Sequence, residues 1–131
     1  MFGDSITSAL MKRALDGTWQ RQKAISANIA NHETPGYKAV KISFEDALKN
    51  EVRRVGNLHN TDIYGKMASI DRTEIKRYHD HSGSERADGN NVNLDAENIQ
   101  MAKVQIQYQF LTKKISDYYS RLRYAISEGK R

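Results

Sequence analysis

Residues 93–127, NLDAENIQMAKVQIQYQFLTKKISDYYSRLRYAIS, decide the fold. Apolar side chains recur there in alternating steps of three and four, at Met101, Val104, Tyr108, Leu111, Ile115, Tyr118, Leu122 and Ala125, with Leu94 one heptad upstream. That spacing predicts a long helix with a coiled-coil-like seam, available to another helix and to neighbouring subunits. Asn93 can cap it, Asp95 and Glu97 put negative charge in its first turn, and Gly129 is placed to end it. Ile99, Ile106 and Phe110 lie about 140 to 180° round the helix from the seam, at about 100° per residue. The helix is therefore apolar on two faces, and a two-helix hairpin covers one. The second face expects other chains.

The other end of the chain carries a weaker copy of the same pattern. Met11, Leu15, Thr18, Gln22, Ile25 and Ile29 keep the four-three spacing behind a possible cap at Asp4 or Ser5, although Thr18 and Gln22 interrupt the seam and Gly17 lowers helix propensity. Two helices with matching registers suggest an antiparallel or staggered pair, the second longer than the first. The first must stop near Asn31. Pro35, the only proline, pushes Thr34 out of the helical region, and Pro35-Gly36 suits the centre of a type II turn. Asn28 and Asn31 can fold their amides back onto the last carbonyls.

Ser43 reads as the cap of a short helix reaching about Val55, with Phe44, Leu48 and Val52 as its apolar stripe and Gly56 at its end. From residue 57 to 91 no period lasts. A short strand within Thr73 to Tyr78 is conceivable, and Ser82 to Asn91 reads as a linker. The expected organisation is all-α: 1–55 as helix, turn and short helix, 56–92 as a flexible or partner-ordered middle, and 93–131 as the long helix.

Composition narrows the function. Hydrophobic residues make up 38% of 131 and mean hydropathy is −0.77, so the core must sit in a few segments and a stable monomer is doubtful. With no cysteine there is no disulfide, thiolate metal site or thiol nucleophile. No apolar run is long enough for a membrane span, and the amino terminus lacks the pattern of a cleavable signal, so no direct lipid binding is expected. The net charge of +5 lies wholly within residues 101–131. Cations near a helix carboxy terminus favour the dipole and keep an exposed face soluble, or meet an acidic partner. No nucleic-acid-binding motif accompanies them. His79 and His81 flank Asp80 without a third ligand at useful spacing, and neither a nucleophile elbow nor a phosphate loop is present. No metal, cofactor or enzymatic activity is expected.

The run Ser26-Ala27-Asn28-Ile29-Ala30-Asn31-His32-Glu33-Thr34-Pro35-Gly36-Tyr37-Lys38-Ala39 resembles the amino-terminal signature of bacterial flagellar basal-body rod, hook and hook-associated proteins. The following Phe44, Glu45, Ala47 and Leu48, with Gly89-Asn90-Asn91-Val92-Asn93-Leu94-Asp95 leading into the long helix, are similar to the proximal rod members of that family. Asn93 stands where the family often has aspartate and Glu33 where a small residue or short acid is more usual, and neither change removes the cap or the turn. The resemblance implies a structural subunit exported unfolded by the flagellar type III apparatus. It would assemble with other rod proteins and with itself at the base of the rod in the cell envelope, beside the export gate and membrane ring. A free-standing coiled-coil adaptor and a basic nucleic-acid-binding protein are the alternatives.

Overall fold

The computed structural model describes residues 2–60 and 62–129, the side chains of residues 2–4 excepted. The basic pair Lys130 and Arg131 lies outside them. Helix α1 spans Phe2–Ala30, strand β1 Val40–Ser43, helix α2 Glu45–Gly56, helix α3 Ile63–Asp71, strand β2 Lys76–His79 and helix α4 Leu94–Gly129. The two long terminal helices dominate, as their spacing predicts.

They run antiparallel. Asn28 meets Glu97, Trp19 lies 6.2 Å from Tyr108 between ring centroids, and Lys12 lies 5.4 Å from the centroid of Tyr119, so α4 numbers rise as α1 numbers fall. The buried side of α4 is the heptad seam. Val104 is 1% exposed, and Met101, Tyr108, Leu111, Ile115 and Tyr118 are half-buried, while Leu122 and Ala125 are exposed. At 36 residues against 29, α4 is about 10 Å longer than α1.

The opposite side of α1 meets the rest of the chain. Ala9, Ala24, Val40, Ile42, Phe44, Leu48, Val55 and Ile70 form one buried cluster joining α1, β1, α2 and α3. Gly17 is the point of closest approach. A Cβ there would come within 2.5 Å of the Phe44 ring, so the glycine lets an aromatic side chain lie directly on the helix backbone. Thr18, 2% exposed, satisfies its hydroxyl on the Ala14 carbonyl at 2.7 Å, which explains a polar residue on a buried seam. Arg21 pairs with both carboxylate oxygens of Glu45, donates to the Ile42 carbonyl at 2.7 Å and stacks over Phe44. Burial alone would raise the Glu45 carboxyl, but the Arg21 guanidinium outweighs it and holds that carboxyl below its ordinary value.

Four local expectations need correction. Helix α1 runs through Asp4 and Ser5, so neither is its cap. Ser43 does not cap α2, because it ends β1, paired with Lys76 in an antiparallel ribbon. Phe44 takes the cap position without a side-chain bond, and the Glu45 carboxylate accepts from its N–H at 3.3 Å. Asn28 does not fold back on the helix end, because its amide is needed elsewhere. The strand expected within Thr73 to Tyr78 forms as Lys76–His79, and the partner strand Val40–Ser43 adds a two-stranded ribbon to an otherwise helical fold. The middle has little core of its own: between residues 57 and 89, among the described residues, only Ile70 and Thr73 are buried.

Candidate assembly interface

The turn between α1 and β1 is built as its sequence predicts, with the Tyr37 N–H bonded to the Thr34 carbonyl at 3.2 Å and Gly36 at φ +72°. Asn31 caps α1 by donating to the Ala27 carbonyl at 2.8 Å. Asn28, fully buried, does something different. Its side-chain oxygen accepts from the Val40 N–H at 2.8 Å and the Tyr37 hydroxyl at 3.1 Å, and its nitrogen donates to the Val40 carbonyl at 3.0 Å and Glu97 at 3.1 Å. The amide thereby pairs with both backbone groups of Val40, as a neighbouring strand would. All four of its hydrogen-bonding positions are filled.

Two further asparagines close the same end. Asn90, also fully buried, donates to the carbonyls of Asn31 and Thr34, both at 2.9 Å, and accepts from the Val92 N–H at 2.8 Å. Asn91 accepts from the Ala39 N–H at 2.7 Å and donates to the Asp80 carbonyl at 2.6 Å. The Gly36 N–H bonds to the Asp88 carbonyl at 2.8 Å, and Arg86 reaches the His32 carbonyl. Residues 86–91, read from sequence as part of a linker, are thus a clasp over the turn. Asn93 caps α4 by accepting from the Ala96 N–H at 3.1 Å. Glu97 is more than a first-turn acid: at 3% exposure it bonds Asn28 and lies 3.6 Å from the Lys41 ammonium. Burial pushes the Tyr37 hydroxyl up from its ordinary value.

Within the signature, Asn28 is buried, Ile29, Asn31 and Tyr37 are half-buried, and Ala30, Thr34, Pro35 and Gly36 face outward. The signature is therefore a packed joint with an exposed tip. The second face of α4 stands apart from it and is open. Ile99 is 58% exposed, Ile106 67% and Phe110 59%, and Tyr124, at 69%, lies on the same side beyond the exposed Asp117, which interrupts the stripe. From Tyr119 to Gly129 every residue is exposed, the last two seam positions included. Among the described residues no group of three potential metal ligands comes together, and no helix is long and apolar enough to cross a membrane.

One end of the chain is finished within itself, and the long helix carries an uncovered apolar face. Residues 7–38 match the family described as flagella basal body rod protein. The chain is 32% identical to the flagellar basal body rod protein FlgB of Bacillus subtilis over 92% of each chain. Against FlgB of Escherichia coli it is 32% identical over 86% of this chain and 88% of the relative. For Borreliella burgdorferi FlgB the identity is 34%, over 82% and 85%. The chain belongs to the FlgB family of flagellar basal body rod proteins. It is a structural component of the rod, and not an enzyme.

Proposed function

We propose that the chain builds the proximal end of the rod, passing unfolded through the type III export apparatus and completing its fold only on assembly. The observation that carries this reading is the uncovered second face of α4. Burial of Ile99, Ile106 and Phe110 against neighbouring chains offsets the entropy of ordering the far end of the helix. A tube or shaft needs one patch to meet a different one, so the contacts are heterologous and open. Leu122 and Ala125 are the seam positions free to join them, and Met101 to Tyr118 serve the chain's own hairpin first. The exposed Thr34-Pro35-Gly36 tip is the candidate contact with the export gate or membrane-ring base.

Phe110→Asp tests this reading. The residue lies away from α1, so the hairpin should survive by circular dichroism while rod incorporation and motility in a strain lacking the wild-type gene are lost. Normal motility would show that the second face is not an interface.

A further inference from the structure

The hydrogen bonds of the ribbon leave one edge free. The Asp80 N–H bonds to the Ala39 carbonyl at 2.8 Å, and bonded and unbonded pairs alternate along an antiparallel ladder. Lys41 therefore bonds Tyr78 and Ser43 bonds Lys76, while Val40, Ile42, Arg77 and His79 turn their backbone groups outward. On β1 helix α1 takes up those groups: Asn28 pairs with Val40, and Arg21 donates to the Ile42 carbonyl. On β2 the N–H and C=O of Arg77 and His79 meet no partner among the described residues. All four β2 residues are exposed, although Val40 and Ile42, paired with His79 and Arg77, are buried.

Directly opposed residues share a face, so Arg77 and His79 lie on the core-facing side of the ribbon with Ile42 and Val40. Between Arg77, Ile42 and the α1 residues Gln20, Lys23, Ala24 and Ala27 lies a hollow of about 220 Å³. Its floor is apolar, its walls carry two cations and an amide, and no carboxylate lines it. Neither Lys23 nor Arg77 makes a salt bridge among the described residues. The nearby acids are turned elsewhere. By the alternation of the strand, Glu74 and Asp80 fall on the opposite face, and Asp80 accepts from Ser82. Asp16, one turn of α1 from Gln20, lies 3.5 Å from Arg13, and Glu97 is held by Asn28 and Lys41.

We propose that β2 takes a third strand, an extended segment of a different protein of the basal body, with an Asp or Glu opposite Arg77 whose carboxylate enters the hollow between Arg77 and Lys23. The free backbone groups supply affinity, and the two cations select the side chain that faces them. Two copies meeting through this same edge would form a two-fold pair, which closes and does not extend a rod. Nor do the other non-helical segments of this chain offer a free acid. Glu33 lies beside His32, Asp62 caps α3, Glu85 pairs with Lys38 and Asp88 with Arg86, while Glu74 flanks β2 itself. The inference rests on the chain being a rod component and is independent of the second face of α4.

Hydrogen exchange of single amides, in the free chain and in isolated basal bodies, tests the edge. Zero-length carbodiimide coupling on the same basal bodies tests the occupant. In the free chain the Lys76 and Tyr78 amides should be protected and those of Arg77 and His79 should not. In basal bodies the latter two should slow by about tenfold or more. Lys23 should couple to an Asp or Glu of another protein, and the product should vanish in Lys23→Arg, which keeps the charge and removes the reactive amine. Arg77→Glu should lower incorporation about tenfold, and Arg77→Lys should not. Arg77 and His79 amides that exchange equally fast in basal bodies and in the free chain overturn the third strand. Lys23 coupled only within its own chain, to β2 of a second copy or to nothing overturns the acidic partner, as does normal incorporation of Arg77→Glu. In each of these cases the wild-type chain is still present in basal bodies, so the rod reading stands. Its absence from them would sink both.

Discussion

At the turn end of the hairpin, Asn28, Asn90 and Asn91 use every side-chain N–H they have, whereas at the other end eleven consecutive residues, Tyr119 to Gly129, are exposed all round. The two regions use different chemistry. Buried amides with fixed partners specify one geometry, since any displacement leaves polar groups unmatched in a dry site. Exposed Leu122, Tyr124 and Ile126 specify little alone and gain from whatever covers them. The first region sets the angle at which α4 leaves the turn. The second carries exposed apolar side chains along that direction.

Asn28→Ala attacks the comparison hardest. It strands the N–H and carbonyl of buried Val40 and removes a donor from buried Glu97, so urea unfolding should show a loss of about 3 kcal/mol. A loss below about 1 kcal/mol would mean that the joint is not specified by its amides. Gly17→Ala marks how far the finished part extends along α1. Overpacking against Phe44 costs about 1 to 3 kcal/mol and better helix propensity returns up to about 1, so a net loss near 1 kcal/mol is expected in the same assay. At the open end, Tyr124→Ser should leave unfolding of the isolated chain within about 0.5 kcal/mol of wild type while reducing rod incorporation.

The smallest effect is in acid. Arg54 and Ser69 hydrogen-bond Glu51 and bring its carboxyl down to about 2 from an ordinary 4.5, joining α2 to α3. A carboxyl that is harder to protonate in the folded chain contributes its full stability above the ordinary value and loses it as pH falls from about 4.5 towards 2. Solvent screening keeps this below about 1 kcal/mol. The difference in melting temperature between wild type and Glu51→Gln should shrink across that window.

What could be read from the sequence was whatever repeats locally. The seam of α4, its second face and the Pro35-Gly36 turn depend on neighbours within a few residues, and each stands where its spacing places it. Asn28 was misread because its partners Val40 and Glu97 lie 12 and 69 residues away and nothing local distinguishes a cap from a joint. Ser43 was misread for a related reason: its signal as a cap is outweighed by pairing with Lys76, which only the folded chain brings alongside. Four residues of strand are too few for alternation to show. Gly17 lowers helix propensity locally, and its value lies in Phe44, a residue 27 positions on that packs directly on it.

Hydrogen exchange on the purified chain, followed residue by residue along α4 and repeated on assembled rods, tests most directly the claim that one end is complete and the other waits. The expected result is strong protection of amides around residues 98–108 in the isolated chain, falling steeply beyond Tyr118, with residues 119–129 becoming protected only in the rod. Uniform strong protection along the whole of α4 in the isolated chain would contradict it.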